Sequence, residues 1–370
     1  MLYNFLKRAK LAWVLGSIII VASVGLSCAS PAPAPAPAPT PAPAPTPAPT
    51  PAPAPAPAEP MVLNYQGRAP EPHPISQGAL QFVKAFEERI NGRYKIEPYF
   101  AGQLFASKDL PRVLSTGLLP LGEIETMEFV SIVPSLTVMD IIGLFDSAEH
   151  AWRAMDGELG DILAKEMEEK ANIKILTWLE LGGTDGFCNA KKLLQKIEDF
   201  EGLLIRAPNE PIMVFCESLG ATPVAMSSAE VYTAIQFGTL DGAITAMSSV
   251  VSRKFYEVAP YITFAPVSPS HCPGIGMNLD VWNSLPPEDQ AIFLEAANIA
   301  KEYTRNQSST VTAESLALLK EQPDVEIYEL PANALKEWRE VAYPGQVKLL
   351  EEAVGEEQTK KLLDIIESYG

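Results

Sequence analysis

The stretch that decides the fold runs from Asp199 to Gly242 and reads DFEGLLIRAPNEPIMVFCESLGATPVAMSSAEVYTAIQFGTLDG. Short apolar runs in it alternate with longer runs whose apolar residues recur at helical spacing, which predicts strands separated by helices. The predicted strands are 203–205, 222–226 and 240–244, and the predicted helices are 210–219 and 231–237. A β-α-β-α-β unit of this kind requires a mainly parallel sheet. The sequence therefore predicts the α/β class.

The ends of these helices carry the usual boundary residues. Asn209 is expected to cap the first helix, and Gly220 to end it in the left-handed conformation. Ser227 and Glu230 have the spacing of a capping box before the second helix, which Gly238 ends. The boundary signals agree with the hydrophobic pattern.

Arg206 is the charged residue that best fits a functional site. It follows the first predicted strand, where the strand should emerge at the carboxyl edge of the sheet, and open α/β sheets bind ligands at that edge. A guanidinium stays charged when buried and matches both oxygens of a carboxylate. The alternative is a surface arginine that pairs with a glutamate, and the candidates are Glu201, Glu210 and Glu217. The residues alone leave both interpretations open.

Several segments together resemble a known family. They are GLLIRAP at 202–208, LGATPV at 219–224, AEVYTAIQFGTLDG at 229–242, KFYEVAPYIT at 254–263 and NLDVWNSLPPEDQ at 278–290. In this order they resemble the substrate-binding subunit of tripartite ATP-independent periplasmic (TRAP) transporters, of the dicarboxylate-binding DctP-like type. Looser similarity, including His73-Pro74 and GQL at 102–104, runs from about Leu63 to the C-terminus.

The resemblance implies a two-lobed periplasmic binding protein fold with hinge strands and a long helix spanning both lobes. It also implies that Arg206 holds the carboxylate of an organic acid in the cleft between the lobes. Many members carry a second arginine about 20 residues earlier, where this chain has Gly186, and an asparagine where it has Thr245. One charged anchor with few polar donors predicts a monocarboxylate with an apolar body.

Further candidates for the cleft are weaker. Apolar and thioether groups that would complete the site are Phe187, Trp178, Met247 and Phe129, for which core packing is the alternative. Polar candidates are Thr245, His73, Glu128, Asn209 and Tyr65. His73 has the alternative of an ordinary loop histidine. His271 and Cys272 lack further ligands for a metal, so neither a metal nor a cofactor is expected.

Catalysis and nucleic-acid binding have little support. Ser227-Ser228 lies outside a G-x-S-x-G elbow, and no glycine-rich phosphate loop precedes a helix. The net charge of −18 among 370 residues argues against a nucleic-acid partner. The sequence predicts a binding protein, not an enzyme; the alternatives are a ligand-binding module of a signalling receptor or an exported hydrolase.

The N-terminus predicts export and anchoring. Three basic residues precede the apolar run 11–26, as in a signal peptide spanning 1–27. Cys28 begins a lipoprotein-like cleavage site in which Gly25 stands where the usual leucine is found; an uncleaved anchor or ordinary signal cleavage are the alternatives. Lipid-anchored placement in the periplasm or on the outer face of the cytoplasmic membrane is expected. TRAP membrane subunits are the expected partners.

Residues 28–60 predict a tether, because Pro alternates with Ala or Thr from 31 to 58. Such a segment favours polyproline II, and at about 3.1 Å per residue it would reach about 85 Å. A disordered tail without a role is the alternative. The globular remainder is expected to divide into lobe I, 62–183 plus 272–310, and lobe II, 184–271 plus 311–370.

Other elements follow the same signals. The predicted strands are 61–65, 94–100 and 173–179, and the predicted helices are 76–90, 109–116, 149–171 and 332–369. A helix beginning at Pro286-Pro287 meets no breaker until Pro323, so about 35 residues would give about 50 Å of helix. Cys188, Cys216 and Cys272 allow one disulfide or buried free thiols.

Overall fold

The computed structural model describes residues 60–181, 185–266 and 271–370. The predicted signal peptide, the lipidation at Cys28 and the Pro/Ala tether lie outside the described residues.

Two β-sheets carry the fold in the part of the chain that the structure describes. The first sheet has five strands in the order β2-β1-β3-β10-β4. Its strands are β1 (Met61–Gln66), β2 (Tyr94–Tyr99), β3 (Leu121–Ile124), β4 (Ile173–Trp178) and β10 (Gly274–Asn278). β1 pairs in parallel with β2 and β3, whereas β10 is antiparallel to β3 and β4.

The second sheet has six strands within the described ranges, in the order β11-β9-β5-β8-β6-β7. They are β5 (Asp185–Asn189), β6 (Leu204–Ala207), β7 (Thr222–Ala225), β8 (Gly242–Ala246), β9 (Tyr261–Phe264) and β11 (Glu326–Glu329). β6 is parallel to β7 and β8, and β5 is antiparallel to β8 and β9. The predicted β-α-β-α-β unit is therefore confirmed, within a sheet of mixed direction.

Helices cover both sheets. Along the described chain they are α1 (Pro74–Glu87), α2 (Leu110–Ser115), α3 (Thr126–Phe129), α4 (Ala148–Met155), α5 (Glu158–Ala171), α6 (Glu210–Ser218), α7 (Val231–Gln236), α8 (Met247–Ser252), α9 (Leu279–Ser284), α10 (Pro287–Lys320), α11 (Ala332–Val354) and α12 (Glu356–Ser368). None of these helices is both long enough and apolar enough to span a bilayer.

The predicted boundary residues act as expected at α6, whereas α7 begins directly after Glu230 and Ser227 does not cap it. Asn209 caps α6, because its Oδ1 accepts the Ile212 N–H at 3.1 Å, and Gly220 follows the helix with a φ of 97°. The Asp241 carboxylate accepts the Leu204 N–H at 2.9 Å, which ties the start of β6 to the residue before β8. This hydrogen bond holds the strand that carries Arg206 beside β8.

The long helix α10 connects the two sheets, as predicted. It packs against α1 and β4 of the first sheet and against α8 and β11 of the second. α1 approaches it closely at Gly78, where a Cβ would lie 2.4 Å from Thr304 Cγ2. Thr304 Oγ1 also accepts the Glu180 N–H at 3.1 Å, just after β4. The helix therefore braces the segment where the chain leaves the first sheet.

Two predicted helices are wrong in length. The helix expected at 149–171 breaks into α4 and α5 at Gly157, whose φ of −114° and ψ of −148° leave the helical conformation. The helix expected at 332–369 breaks at Gly355, whose φ of 85° suits glycine.

The C-terminal helix α12 changes one part of the predicted lobe division. Its residues Leu362, Ile365 and Ile366 share a hydrophobic core with α4 and α5 of the first lobe. The end of the chain therefore packs with lobe I, although the sequence placed it in lobe II. The other lobe boundaries stay predictions. Cys188, Cys216 and Cys272 are buried and form no disulfide with one another, which agrees with the second of the two expectations.

Candidate functional site

A cavity of about 50 Å³ lies between the two sheets and is lined from both of them. The first sheet contributes the segment after β1, with Arg68 and His73, and the second contributes Arg206 and residues of β8. A more open cleft of about 690 Å³ adjoins the cavity and shares Arg68 and Arg206 with it. The predicted location, the carboxyl edge where β6 ends, is therefore part of a groove between the sheets.

Arg206 is buried, with 7% of its surface exposed. Its Nε donates to the Met226 carbonyl at 3.1 Å and its Nη1 to the Ile244 carbonyl at 3.3 Å. Among the described residues no carboxylate forms an ion pair with it, so the surface pairing with a glutamate does not occur. Burial, together with the charges of Arg68 and Arg253, lowers its pKa to about 10. The guanidinium remains cationic at neutral pH without a counter-charge in contact.

Arg68 reaches the site from the first sheet, and its positive charge is compensated by carboxylates. Its guanidinium forms ion pairs with Glu123 and Glu125, and its backbone N–H donates to Glu123 Oε2 at 2.8 Å. Burial would lower the pKa of Arg68, but these carboxylates raise it overall. Sequence reasoning missed Arg68, although it follows β1 just as Arg206 ends a strand, and the same criterion would have found it.

Arg253 is the third arginine of the site. It follows α8 directly, is half-buried, and lines both the inner cavity and the outer cleft. It forms no hydrogen bond or ion pair within the ranges that the structure describes. Burial and the charge of Arg68 lower its pKa. No sequence signal distinguishes it from a surface arginine, because its position depends on how α8 packs.

The two cavity-lining histidines have opposite charge states. His73 caps α1, its Nδ1 accepting the Ile75 N–H at 3.3 Å, and burial with the charges of Arg68 and Arg253 lowers its pKa to about 3. It is therefore neutral, with the proton on Nε2. Burial would also lower the pKa of His271, but Asp185, 2.6 Å away, dominates and raises it to about 10.

The remaining polar candidates are divided between the site and its surroundings. Thr245 of β8 lines the cavity, and Glu128 lines the outer cleft with its pKa raised by burial. Asn209 acts as a helix cap and lines neither space. Tyr65 is fully buried in the first-sheet core, where burial and Glu123 raise the pKa of its hydroxyl well above the usual value.

The apolar candidates do not line the cavity. Core packing, the alternative weighed for them, is what the structure has for Phe187, Trp178, Met247 and Phe129. Phe187, for example, makes edge-to-face contacts with Phe200 and Trp338. The apolar part of the cavity wall comes from other residues, namely Ala69, Met127, Leu181, Pro208, Ile244 and Ala246.

Gly186 has no room for a side chain. It pairs with Thr245 across β5 and β8, and a Cβ would lie 2.7 Å from the Thr263 carbonyl oxygen and 2.8 Å from Met247 Cε. An arginine at this position would require the sheet and Met247 to move. Positive charge reaches the site from Arg68 and Arg253 instead.

No group of three or more His, Cys, Asp or Glu residues within the described ranges is arranged to hold a metal ion. His271, weighed as a metal ligand in the sequence, is instead the partner of Asp185. What the arrangement can do is bind an anion between two sheets.

Comparison with known proteins identifies relatives along most of the chain. The sequence profile of the bacterial extracellular solute-binding proteins, family 7, matches residues 66–352. The C4-dicarboxylate-binding periplasmic protein DctP of Rhodobacter capsulatus is 26% identical over 299 residues, which are 79% of this chain and 87% of that protein.

Solved structures agree with the fold. One similar structure is a TRAP periplasmic solute-binding protein from a Sulfitobacter species with bound β-D-galacturonate. Its TM-score is 0.76 at 25% identity, and the match covers 83% of this chain and 100% of that chain. Another, from Desulfovibrio desulfuricans, has bound sn-glycerol-3-phosphate. Its TM-score is 0.78 at 26% identity, and the match covers 84% of this chain and 97% of that chain. Both are two-lobed α/β proteins of the predicted class.

Proposed function

Because the chain belongs to the family 7 bacterial extracellular solute-binding proteins, the substrate-binding subunits of TRAP transporters, we propose that Arg206 captures the carboxylate of an organic acid in the cleft. The protein then delivers this acid to the membrane subunits of the transporter. The observation that carries the proposal is a buried guanidinium with no carboxylate in contact among the described residues.

The geometry of Arg206 leaves donors available for a ligand. A guanidinium has five N–H donors, and two of them go to the carbonyls of Met226 and Ile244. Three N–H groups remain for an incoming anion. The two carbonyl contacts hold the side chain in place before the ligand arrives, which lowers the entropy lost on binding.

Closure of the two lobes follows from where the polar groups lie. An acid bound to Arg206 and Thr245 of the second sheet can also contact His73 and Arg68 of the first. Since the ligand makes both sets of contacts only when the lobes are together, it binds the closed state more tightly and shifts the population toward it. The neutral His73, with its proton on Nε2, would donate to a carboxylate or hydroxyl of the ligand.

The chemistry of the relatives' ligands suggests probes for the substrate. A uronate and a glycerol phosphate are bound by two of the similar structures, and C4-dicarboxylates are named for the Rhodobacter relative. All are small, hydrophilic anions. Three arginines, Arg68, Arg206 and Arg253, line the cleft, and this concentration of positive charge suits ligands of this kind.

The anchoring at Cys28 and the Pro/Ala tether remain part of the proposal. A lipid on Cys28 would hold the protein at a membrane surface, and a spacer of about 85 Å would let the binding unit reach the transporter. Mass spectrometry of the mature protein tests this point. An N-terminus without diacylglyceryl on Cys28 would contradict it.

Isothermal titration tests the binding role of Arg206. Protein freed of ligand by unfolding and refolding is titrated with C4-dicarboxylates, sugar acids and sn-glycerol 3-phosphate, and the acid that co-purifies is identified by mass spectrometry. Arg206→Ala should lose binding of whichever acid the native protein binds. Arg305→Ala is the control, because Arg305 is also largely buried but pairs with Asp156 away from the cavity. Undiminished binding by Arg206→Ala contradicts the proposal.

A further inference from the structure

Charge compensation differs sharply among the three arginines of the site. Arg68 is in ion pairs with Glu123 and Glu125. Arg206 donates only to backbone carbonyls, and Arg253 forms no hydrogen bond or ion pair with any residue that the structure describes. Two cations therefore face the cleft without a carboxylate in contact, where a single anionic group would neutralise only one of them.

Arg253 is placed to act on the same ligand as Arg206. α8 begins directly after β8, the strand beside β6, so the ends of β6 and α8 belong to the same lobe. Both arginines line the inner cavity and the outer cleft, with Thr245 of β8 also in the cavity wall. A ligand could thus engage both guanidiniums in the open state, before the first lobe contributes Arg68.

The acidic groups around the site do not remove this excess of positive charge. Asp185 forms an ion pair with the charged His271 at 2.6 Å, and Glu125 forms one with Arg68. Glu128 and Glu230 line the outer cleft, and neither forms an ion pair with Arg253 in the part of the chain that the structure describes. The inner cavity is therefore lined by four cations, Arg68, Arg206, Arg253 and His271, and by two carboxylates, Glu125 and Asp185.

On the basis of the function proposed above, we propose that Arg253 is a second anion-binding residue and that the natural ligand carries two anionic groups. One anionic group binds Arg206 and the other binds Arg253. Both would be carboxylates in a dicarboxylate, and one would be a phosphate in a phosphorylated acid. Placing two like charges near each other without counter-charges is unfavourable in a partly desolvated cleft, and a dianion relieves both at once.

Matched pairs of acids that differ by one anionic group test the assignment. We would titrate ligand-free protein with succinate and its monoamide succinamate, with D-galactarate and D-galactonate, and with 3-phospho-D-glycerate and D-glycerate. In at least one pair the native protein should bind the acid with two anionic groups about tenfold or more tightly than its partner. The three pairs distinguish a second carboxylate from a phosphate.

Arg253→Gln should lower the affinity for the acid with two anionic groups by about tenfold to hundredfold, because it removes hydrogen bonds to a charged group. The affinity for the partner with one anionic group should fall by less than threefold. Lys254→Gln is the matched control. It removes the same charge from the neighbouring residue, which is exposed and pairs with Glu257 at 3.5 Å outside the cleft. It should leave both affinities within twofold, and far-ultraviolet circular dichroism confirms that each variant is folded.

The outcomes separate this assignment from the proposed function. Suppose that Arg206→Gln binds neither acid of the pair, and that Arg253→Gln lowers the affinity for both acids equally. These results would support the anion site at Arg206 and overturn the role of Arg253. Unchanged binding in Arg206→Gln would overturn the proposed function itself. A co-purifying acid with one ionisable group, or a native protein that binds no dianion better than its partner, would also overturn the second anion site.

Discussion

Replacing Arg206 by methionine should weaken ligand binding and at the same time stabilise the ligand-free protein. The side chain is 7% exposed, and burial lowers its pKa from the ordinary value of an arginine to about 10. Each pKa unit corresponds to about 1.4 kcal/mol, so holding the charge in the empty site costs about 3 kcal/mol. Methionine keeps the apolar stem and removes this cost.

Part of that gain is lost again, because the substitution leaves two carbonyls without their donor. The carbonyl groups of Met226 and Ile244 now accept from Arg206, and each lost hydrogen bond costs about 1 kcal/mol. The free energy of unfolding of the ligand-free protein should therefore rise by about 1 kcal/mol. Ligand affinity should fall by about 2–5 kcal/mol, or roughly 30-fold or more.

Urea denaturation of ligand-free protein and isothermal titration measure the two effects. Arg305→Met is the matched control: its guanidinium forms two hydrogen bonds to Asp156, at 2.6 and 3.0 Å, and lies 5.3 Å from the ring of Trp152. Removing a compensated arginine should lower stability by about 1 kcal/mol or more and leave affinity unchanged.

The diagnostic result is that the free energy of unfolding rises in Arg206→Met and falls in Arg305→Met. If Arg206→Met lowered the free energy of unfolding by more than about 1 kcal/mol while affinity stayed the same, Arg206 would be a structural residue. The reasoning from its uncompensated charge would then be refuted.

Three further predictions concern the surroundings of the site. Nitrogen-15 NMR should find His73 neutral at pH 5, with its proton on Nε2, and His271 charged at pH 8; the reverse pattern would contradict the assigned hydrogen bonds. Asp185→Asn should lower the free energy of unfolding most below pH ~6.5, and this loss of stability should shrink as the pH rises through about 10. The reason is that the ion pair with His271 contributes stability only while the imidazole is protonated. Urea denaturation at pH 6 and pH 9.5 measures the difference. Gly186→Ala should lower the free energy of unfolding by about 1–3 kcal/mol, since its Cβ would lie 2.7 Å from the Thr263 carbonyl oxygen, and an unchanged melting temperature would show that the sheet adapts.

Sequence reasoning worked best where the signal is carried by neighbouring residues. The cap at Asn209, the left-handed Gly220 and the strand that ends at Arg206 all depend on hydrogen bonds and backbone preferences within a few positions. For the same reason the long helix α10 was predicted closely, because Pro287 permits its start and no breaker interrupts it.

It worked less well where a segment meets a distant one. At the break beside Gly157, the Glu158 N–H donates to the hydroxyl of Tyr369, 211 positions away. Phe187 was a cleft candidate because a site with one charged anchor was expected to be completed by apolar groups. Its side chain packs against Phe200 and Trp338, and this contact depends on α11, a helix far along the chain.

The sequence by itself determined the α/β class, the central β-α-β-α-β unit and the position of Arg206 at a strand end, because these depend on short-range periodicity and turn chemistry. Only the tertiary structure decided which charges surround that arginine. Arg68, Arg253 and His271 come from three distant segments, and they meet because strand order and helix packing bring those segments to one cleft. Electrostatic environment depends on distances in space, and linear order does not specify them.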